Sequence, residues 1–511
     1  MSCEHYESLR YKSSFRNLLR LTSFDPDRNE SQARSLRRNM CFAGIRFQNT
    51  SDKTVKCGKF SAPLCYSDIC KPPEGVNQTI ELLVKRYPAS NPETAINIWI
   101  LDGDVETKEL SAVLLKRHLD ANVYMMDARG SGKSTSLDCG MTIIDPEYNF
   151  MMNPAEVESC ALILESMFGD LVAFSPMSAA HDLFDLISKL SNGAHTFVYG
   201  TNYGALTVKR LMLLAPPEVI GYVLDSPMGT TGVYNYYTEK DFIENEVART
   251  FMERCDHDRV CSSHFKAPDT LFTAYQDIIT TLDNQVDSAC SEVMNTMDVK
   301  NPKWPASFKL RALVSSLLST PALIMTIPQL VYHFKRCQPH DVKVLTKFIR
   351  NVVNRGHFFS GPNEISFEVL SPLIRFSELW ERPTPSLEEL RKRFTNSFSG
   401  WGIYTDVPLY CAFSKEQSKV CDKYNFGKYE ARGVIYKRDR YWNASVTIPS
   451  QASVLVLSSK MDTFSSHKYS KSLLESLTGK RKELITFETG SGATLTSTSL
   501  QLRFQSMETC A

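Results

Sequence analysis

The chain has 511 residues, 42% of them hydrophobic and 23% charged, a composition that builds a substantial core and excludes a wholly disordered protein. Its 58 basic and 57 acidic side chains leave no net field to steer nucleic acid, so nucleic-acid binding is not expected. No apolar run reaches the roughly 18 residues of a membrane span, and "MSCEHYESLRYKSSFRNLLRL" lacks the apolar centre of a signal peptide.

Residues 1–54 are polar, rich in Arg and Ser, and read as an N-terminal extension. "QTIELLVKRYPA" then reads as a strand, as do "INIWIL" at 96–101 and "ANVYMMD" at 121–127. Helical patterns follow or intervene at 108–119, 156–167 and 181–190, and "HTFVYG" and "VIGYVLD" add two strands around a helix that begins near Tyr203. Strands alternating with helices predict an α/β fold with a mostly parallel sheet covered on both faces, its first part spanning 55–227. From 228 to 448 the pattern is mainly helical, as in "KDFIENEVARTFMERC" and "FTAYQDIITTLDNQVDSACSEVM", which predicts a large inserted cap. The strand pattern returns over 449–511 with "ASVLVLSSKMD" and "KELITFET", separated by the helix "KYSKSLLESL". No internal repeat argues for a solenoid.

Fourteen cysteines are many for a reducing compartment. Cys255 and Cys261 bracket a short loop suited to a disulfide, with Cys57 and Cys139 as further candidates, and no C-x-x-C motif supports a redox or zinc site. Sequons at Asn29, Asn49, Asn77 and Asn443 are glycosylation candidates. Cysteines and sequons together predict a secreted, lumenal or cell-surface protein, in tension with the missing signal peptide, a tension that a processed or re-engineered start would resolve.

"DARGSGKST" ends like a phosphate loop but has Asp127 where the loop's first glycine belongs, so a tight turn held by Asp127, Arg129, Gly130 and Gly132 is the better reading. "GTNYG", Gly200 to Gly204, has the spacing of a nucleophile elbow, a strained strand-to-helix turn that lifts one side chain above the sheet. Asn202 stands at its tip, and a carboxamide forms no acyl intermediate. Asp462 follows a late strand, where a triad acid belongs, yet the last histidine, His467, comes only five residues later and "FETGSGATL" offers none. Beside the elbow, an oxyanion loop needs backbone donors such as Gly103 and the Tyr203 amide. There Asp102, Asp104 and Glu106 crowd the loop with charge that opposes a developing oxyanion. The same three carboxylates are candidates for holding a cationic group in a cleft. His181, His195, His257, His264, His333, His340, His357 and His467 show no metal-ligand spacing, so neither a metal nor a cofactor is expected. Ser226 in "LDSP" reads as structural.

The order "CGKFSAPLCYSD", "IELLVKRYPA", "DARGSGKSTSLDC", "FVYGTNYGA", "GYVLDSP" and "VLVLSSKMDTF" resembles the α/β-hydrolase fold, and more narrowly serine peptidases of the proline iminopeptidase and tripeptidyl aminopeptidase type. The resemblance runs from about residue 55 to the C-terminus. It implies a Ser nucleophile where Asn202 stands, an acid at Asp462 and a histidine near Ser491 or Gly492. Only the acid is kept. With nucleophile and base both gone, the expectation is a catalytically inactive homologue: a structural or binding subunit with a protein partner or assembly, or a peptide or small ligand in the cap cleft. The alternative is a serine-peptidase-like aminopeptidase or esterase with an unorthodox nucleophile and base.

Overall fold

The computed structural model describes residues 48–49, 55–101, 119–141, 152–229, 231–265, 268–284, 288–297, 304–320, 323–354 and 369–490, with positions 112 and 115. Nine strands form one sheet: β1 (Gln48–Asn49), β2 (Lys56–Pro63), β3 (Thr79–Tyr87), β4 (Asn97–Leu101), β5 (Asn122–Met126), β6 (Thr196–Thr201), β7 (Val219–Asp225), β8 (Ser453–Ser459) and β9 (Lys482–Phe487). Their order is β1-β2-β3-β5-β4-β6-β7-β8-β9. β1, β2, β3 and β5 pair antiparallel in succession, and every pairing from β5 to β9 is parallel. This is the predicted α/β-hydrolase fold.

The alternation of side chains along each strand decides which face each residue covers. In β4, Ile98 and Ile100 join one core with Val123, Met125, Phe197, Tyr199 and the helical residues Ala112 and Leu115. Trp99 and Leu101 join the other, which includes Tyr124, Val198 and Tyr222. That second face is covered by α1 (Val157–Phe168), α2 (Pro176–Leu190) and α3 (Tyr203–Leu214). β4, β5 and β6 are buried along their whole length, as central parallel strands must be.

The segment between β7 and β8 is helical where elements are assigned: α4 (Lys240–His257), α5 (Leu271–Asn284), α6 (Ala289–Asn295), α7 (Ala306–Leu318), α8 (Ile327–Arg336), α9 (Pro339–Phe348), α10 (Leu387–Thr395) and α11 (Val407–Ser414). Its two halves pack differently. Residues from Val247 to Val353 form a core of their own, joined by Phe394 and Met461, whereas most buried apolar residues from Val369 to Ile448 belong to the core beneath the sheet. After β8, α12 (His467–Ser476) leads to β9.

Five disulfides tie the described residues: Cys65–Cys70, Cys139–Cys160, Cys255–Cys261, Cys290–Cys337 and Cys411–Cys421. Cys57 is disulfide-bonded as well. Asn77 and Asn443 are exposed, and the Thr79 hydroxyl and amide of the first sequon both donate to Asn77 Oδ1. Asn49 lies in β1, and Asn29 lies outside the described residues. No helix among the described residues is long and apolar enough to cross a membrane.

Candidate functional site

The elbow is built as its spacing predicts. β6 ends at Thr201, α3 begins at Tyr203, and Asn202 between them has φ 46° and ψ −111°. Few side chains adopt this region without strain, and Asn is among the more tolerant. The Asn202 amide donates to the Asp225 carbonyl at 3.2 Å, and its own carbonyl receives the Leu206 amide at 3.3 Å, so the turn is pinned to β7 and to the helix. The two glycines let backbones touch. A Cβ on Gly204 would stand 2.0 Å from the Leu101 carbonyl oxygen, and one on Gly200 would stand 2.5 Å from the Gly204 carbonyl.

Asn202 Oδ1 is buried without a hydrogen-bond partner, and so is the Tyr203 hydroxyl. Burial pushes the Tyr203 phenol far up, the wrong direction for a substitute nucleophile. Among the described residues no acceptor takes the Tyr203 amide at the start of α3. Gly103, Asp102, Asp104 and Glu106 lie outside the described residues, as do Ser491 and Gly492.

Asp462 is fully buried after β8. Its Oδ1 accepts the Phe464 and Ser465 amides at 2.8 and 3.0 Å, while Oδ2 has no hydrogen bond. Burial pushes its carboxyl up to about 6, against the nearby Ser226 hydroxyl and the two amides, with Asp225 adding a like charge. Ser226 is itself buried, with φ 50°, and donates to Asp225 Oδ1 at 3.2 Å, while Tyr199 donates to Asp225 Oδ2 at 2.6 Å. This Tyr199–Asp225–Ser226–Asp462 cluster went unread in the sequence, although "LDSP" marked its place. His467 faces elsewhere: its Nδ1 lies 3.3 Å from Thr486 Oγ1 on β9, and burial with Lys460 and Lys471 holds the ring below its usual range.

The Asp127 turn is a structural hub. Gly132 has φ 59°, and a Cβ there would meet Asp127 Oδ2 at 2.7 Å; Gly130 has φ 89°. Arg129 is fully buried, and its guanidinium grips Asp182 on α2 through two hydrogen bonds of 2.6 Å while donating to the Leu64 and Pro63 carbonyls. All its reach is spent on the fold.

Between sheet and helical segment lies a cleft of about 380 Å³. Asn202 and Tyr203 form part of its floor, Ala128 and Ser131 come from the Asp127 turn, and Tyr236, Tyr237, Ile374 and Phe464 supply apolar walls. Among the described residues its lining includes two cations, Lys240 and Arg375, and no carboxylate. Lys240 pairs with Glu244 at 2.9 Å, and Arg375 lies 3.8 Å from Asp406 and stacks over Tyr237. Neither Asp462 nor Ser226 lines it. Sequence reasoning missed the two cations because nothing local marks them: the fold brings them together across more than a hundred residues of intervening chain. Among the described residues no cluster of His, Cys, Asp and Glu is arranged to hold a metal ion.

No family model and no curated protein matches this sequence. Among solved structures 495 chains do. Est816, described as an N-acyl homoserine lactone degrading enzyme, is 12% identical over 81% of this chain and 92% of its own, with a TM-score of 0.29. The proline iminopeptidase of Mycobacterium smegmatis is 11% identical over 82% and 90%, with a TM-score of 0.28. Mouse alpha/beta hydrolase domain-containing protein 10 is 8% identical over 83% and 90%, with a TM-score of 0.31. At these identities and TM-scores the neighbours carry no argument about this chain, and the fold rests on the strand order above.

Proposed function

We propose that this hydrolase-fold chain is a non-enzymatic binding protein, a pseudo-peptidase that uses the cleft over its elbow to hold a ligand. The observation that carries the reading is Asn202 at the tip of an intact elbow: the strained backbone and the glycine contacts persist around a side chain that cannot attack. Among the described residues Asp462 has no histidine partner, and Ser226 donates to Asp225 and is not part of the cleft lining. The cleft suits a small molecule or peptide end with an apolar body and a negative group, since aromatic walls and the cations Lys240 and Arg375 line it among the described residues. The disulfides support an oxidising, secretory compartment.

A protein partner is the second reading. A hollow of about 620 Å³ shares Tyr236 with the cleft and is lined by Val233 and Phe242, which are 55% and 38% exposed. Phe464, 47% exposed, stands on the cleft side.

The native protein should give no covalent label with a fluorophosphonate probe and no turnover of aminopeptidase or ester substrates above a heat-denatured control. Asn202→Ser should stay below measurable turnover too, for want of a base. Stoichiometric labelling of the native protein would overturn the reading. Native mass spectrometry and pull-down from the source then separate the two occupants: Ile374→Trp should displace a small ligand, and Phe242→Asp a partner chain.

A further inference from the structure

His333 on α8 and Asp341 on α9 form a buried pair within the helical segment. Nδ1 lies 2.7 Å from Asp341 Oδ1, and Asp341 Oδ2 accepts the Gln338 amide at 3.0 Å with Arg336 Nε at 3.3 Å. Asp341 is completely buried and His333 is 7% exposed. The carboxylate accounts for one ring nitrogen and fixes the orientation of the imidazole. The other, Nε2, is buried and has no hydrogen-bond partner.

A packed histidine normally finds partners for both nitrogens, since an unmet buried polar atom costs on the order of 1–3 kcal/mol. Here the ring lines a cavity of about 320 Å³, at the lower end of small-molecule sites, roughly 300–1,000 Å³. Leu323, Leu330, Val344, Leu345 and Phe348 give it apolar walls, and Lys347 stands at its exposed side. Among the described residues no carboxylate lines it, and it shares no lining residue with the cleft over the elbow.

We propose that this cavity is a second, separate ligand site that takes a monocarboxylic acid with an apolar tail. The tail occupies the aliphatic walls. The head lies against His333 Nε2, and the ligand brings a proton with it: the doubly protonated ring, with Asp341 behind it as counter-ion, donates a charge-assisted hydrogen bond to the carboxylate. Lys347 adds attraction at the entrance, and no acid among the described lining residues repels the head. Asp341 serves as the positioning residue. Burial raises its carboxyl, but the His333 hydrogen bond, the Gln338 amide and Arg336 outweigh that and hold it below the usual range, so it stays charged behind the ring. The proposal stands apart from the reading of the elbow cleft.

The test is calorimetric titration of the full chain with decanoate and with decanol, alongside NMR of carboxyl-¹³C decanoate and the ¹⁵N-labelled His333 ring. Decanoate should bind one to one and shift the Nε2 resonance, with decanol at least about tenfold weaker, the worth of one charge-assisted hydrogen bond. His333→Phe should weaken decanoate by about tenfold and change decanol less than about threefold. Val344→Trp, which fills the cavity, should abolish both, and Ile374→Trp in the elbow cleft should leave both unchanged. Thermal unfolding shows which variants are folded, and the wild-type Nε2 shift tests the contact without any substitution. Absence of saturable decanoate binding, equal affinity for decanol, or loss through Ile374→Trp with Val344→Trp unaffected would each overturn the proposal, as would an unshifted Nε2 resonance.

Discussion

Gly204 and Asn202 carry opposite consequences for substitution, although they lie two residues apart. A Cβ on Gly204 would sit 2.0 Å from the Leu101 carbonyl oxygen, a backbone atom of a buried central strand that has nowhere to retreat. Gly204→Ala should therefore cost several kcal/mol, on the order of 3 or more, and be read as a large fall in the denaturant midpoint or loss of soluble protein. Asn202 is already at φ 46°, so glycine relieves a conformation that any side chain resists. Asn202→Gly should hold or raise the midpoint, because the Asn202 carboxamide oxygen makes no hydrogen bond that would be lost. A midpoint falling as far as that of Gly204→Ala would show that the carboxamide holds the turn together. The turn holds β6, β7 and α3 together through these contacts, whatever its chemistry.

The elements that announced themselves were those whose pattern is local. The runs at 96–101, 121–127, 195–200 and 219–225 are apolar and β-rich, and they became β4 to β7. β2, "KCGKFSAP", was not read as a strand: an edge-side antiparallel strand with mixed burial gives neither a clean apolar run nor a clean alternation. The run at 272–294 looked like one helix and is two, since Ser288 caps the start of α6 with a box that ends the apolar period. At the site, the elbow was legible from two glycines and an Asn, but the Tyr199–Asp225–Ser226–Asp462 cluster and the cleft cations depend on tertiary pairing that no window of sequence contains. Cysteine pairing had the same limit: Cys255–Cys261 is local, whereas Cys290–Cys337 joins α6 to the end of α8 across 47 residues. Closing a loop of that length restricts the unfolded chain by roughly 4 kcal/mol in the chain-entropy model. Replacing Cys290 and Cys337 together by Ala should lower unfolding free energy by up to about that amount, checked by guanidinium titration. An effect as small as that expected for a six-residue loop would mean that the helical segment unfolds apart from the rest.

Across the whole molecule, buried ionisable groups set an unusual pH dependence. Burial, with Glu244 adding a like charge, pushes Asp241 up to about 7 even though it accepts the Gly402 and Ile403 amides. Burial likewise lifts Asp406 to about 6 against Arg375, and Asp462 to about 6. All three start from 3.8, so between about pH 4 and 7 the folded chain holds more protons than the unfolded one, and stability falls as pH rises through that window. Lys209 runs the other way. Burial, with Arg210 beside it, lowers its ammonium from 10.5 to about 7, so between those values the unfolded chain holds the extra proton and stability rises with pH. The two limbs meet near neutrality, each group costing on the order of 3–4 kcal/mol there. The thermal midpoint at fixed ionic strength should thus be lower near pH 7 than at pH 5.5 or 8.5, by a few degrees. Asp462→Asn should flatten the acid limb and leave the alkaline one, and Lys209→Met should do the reverse. A midpoint that peaks at pH 7 in the native protein and responds to neither substitution would mean that these groups keep their solution protonation inside the fold.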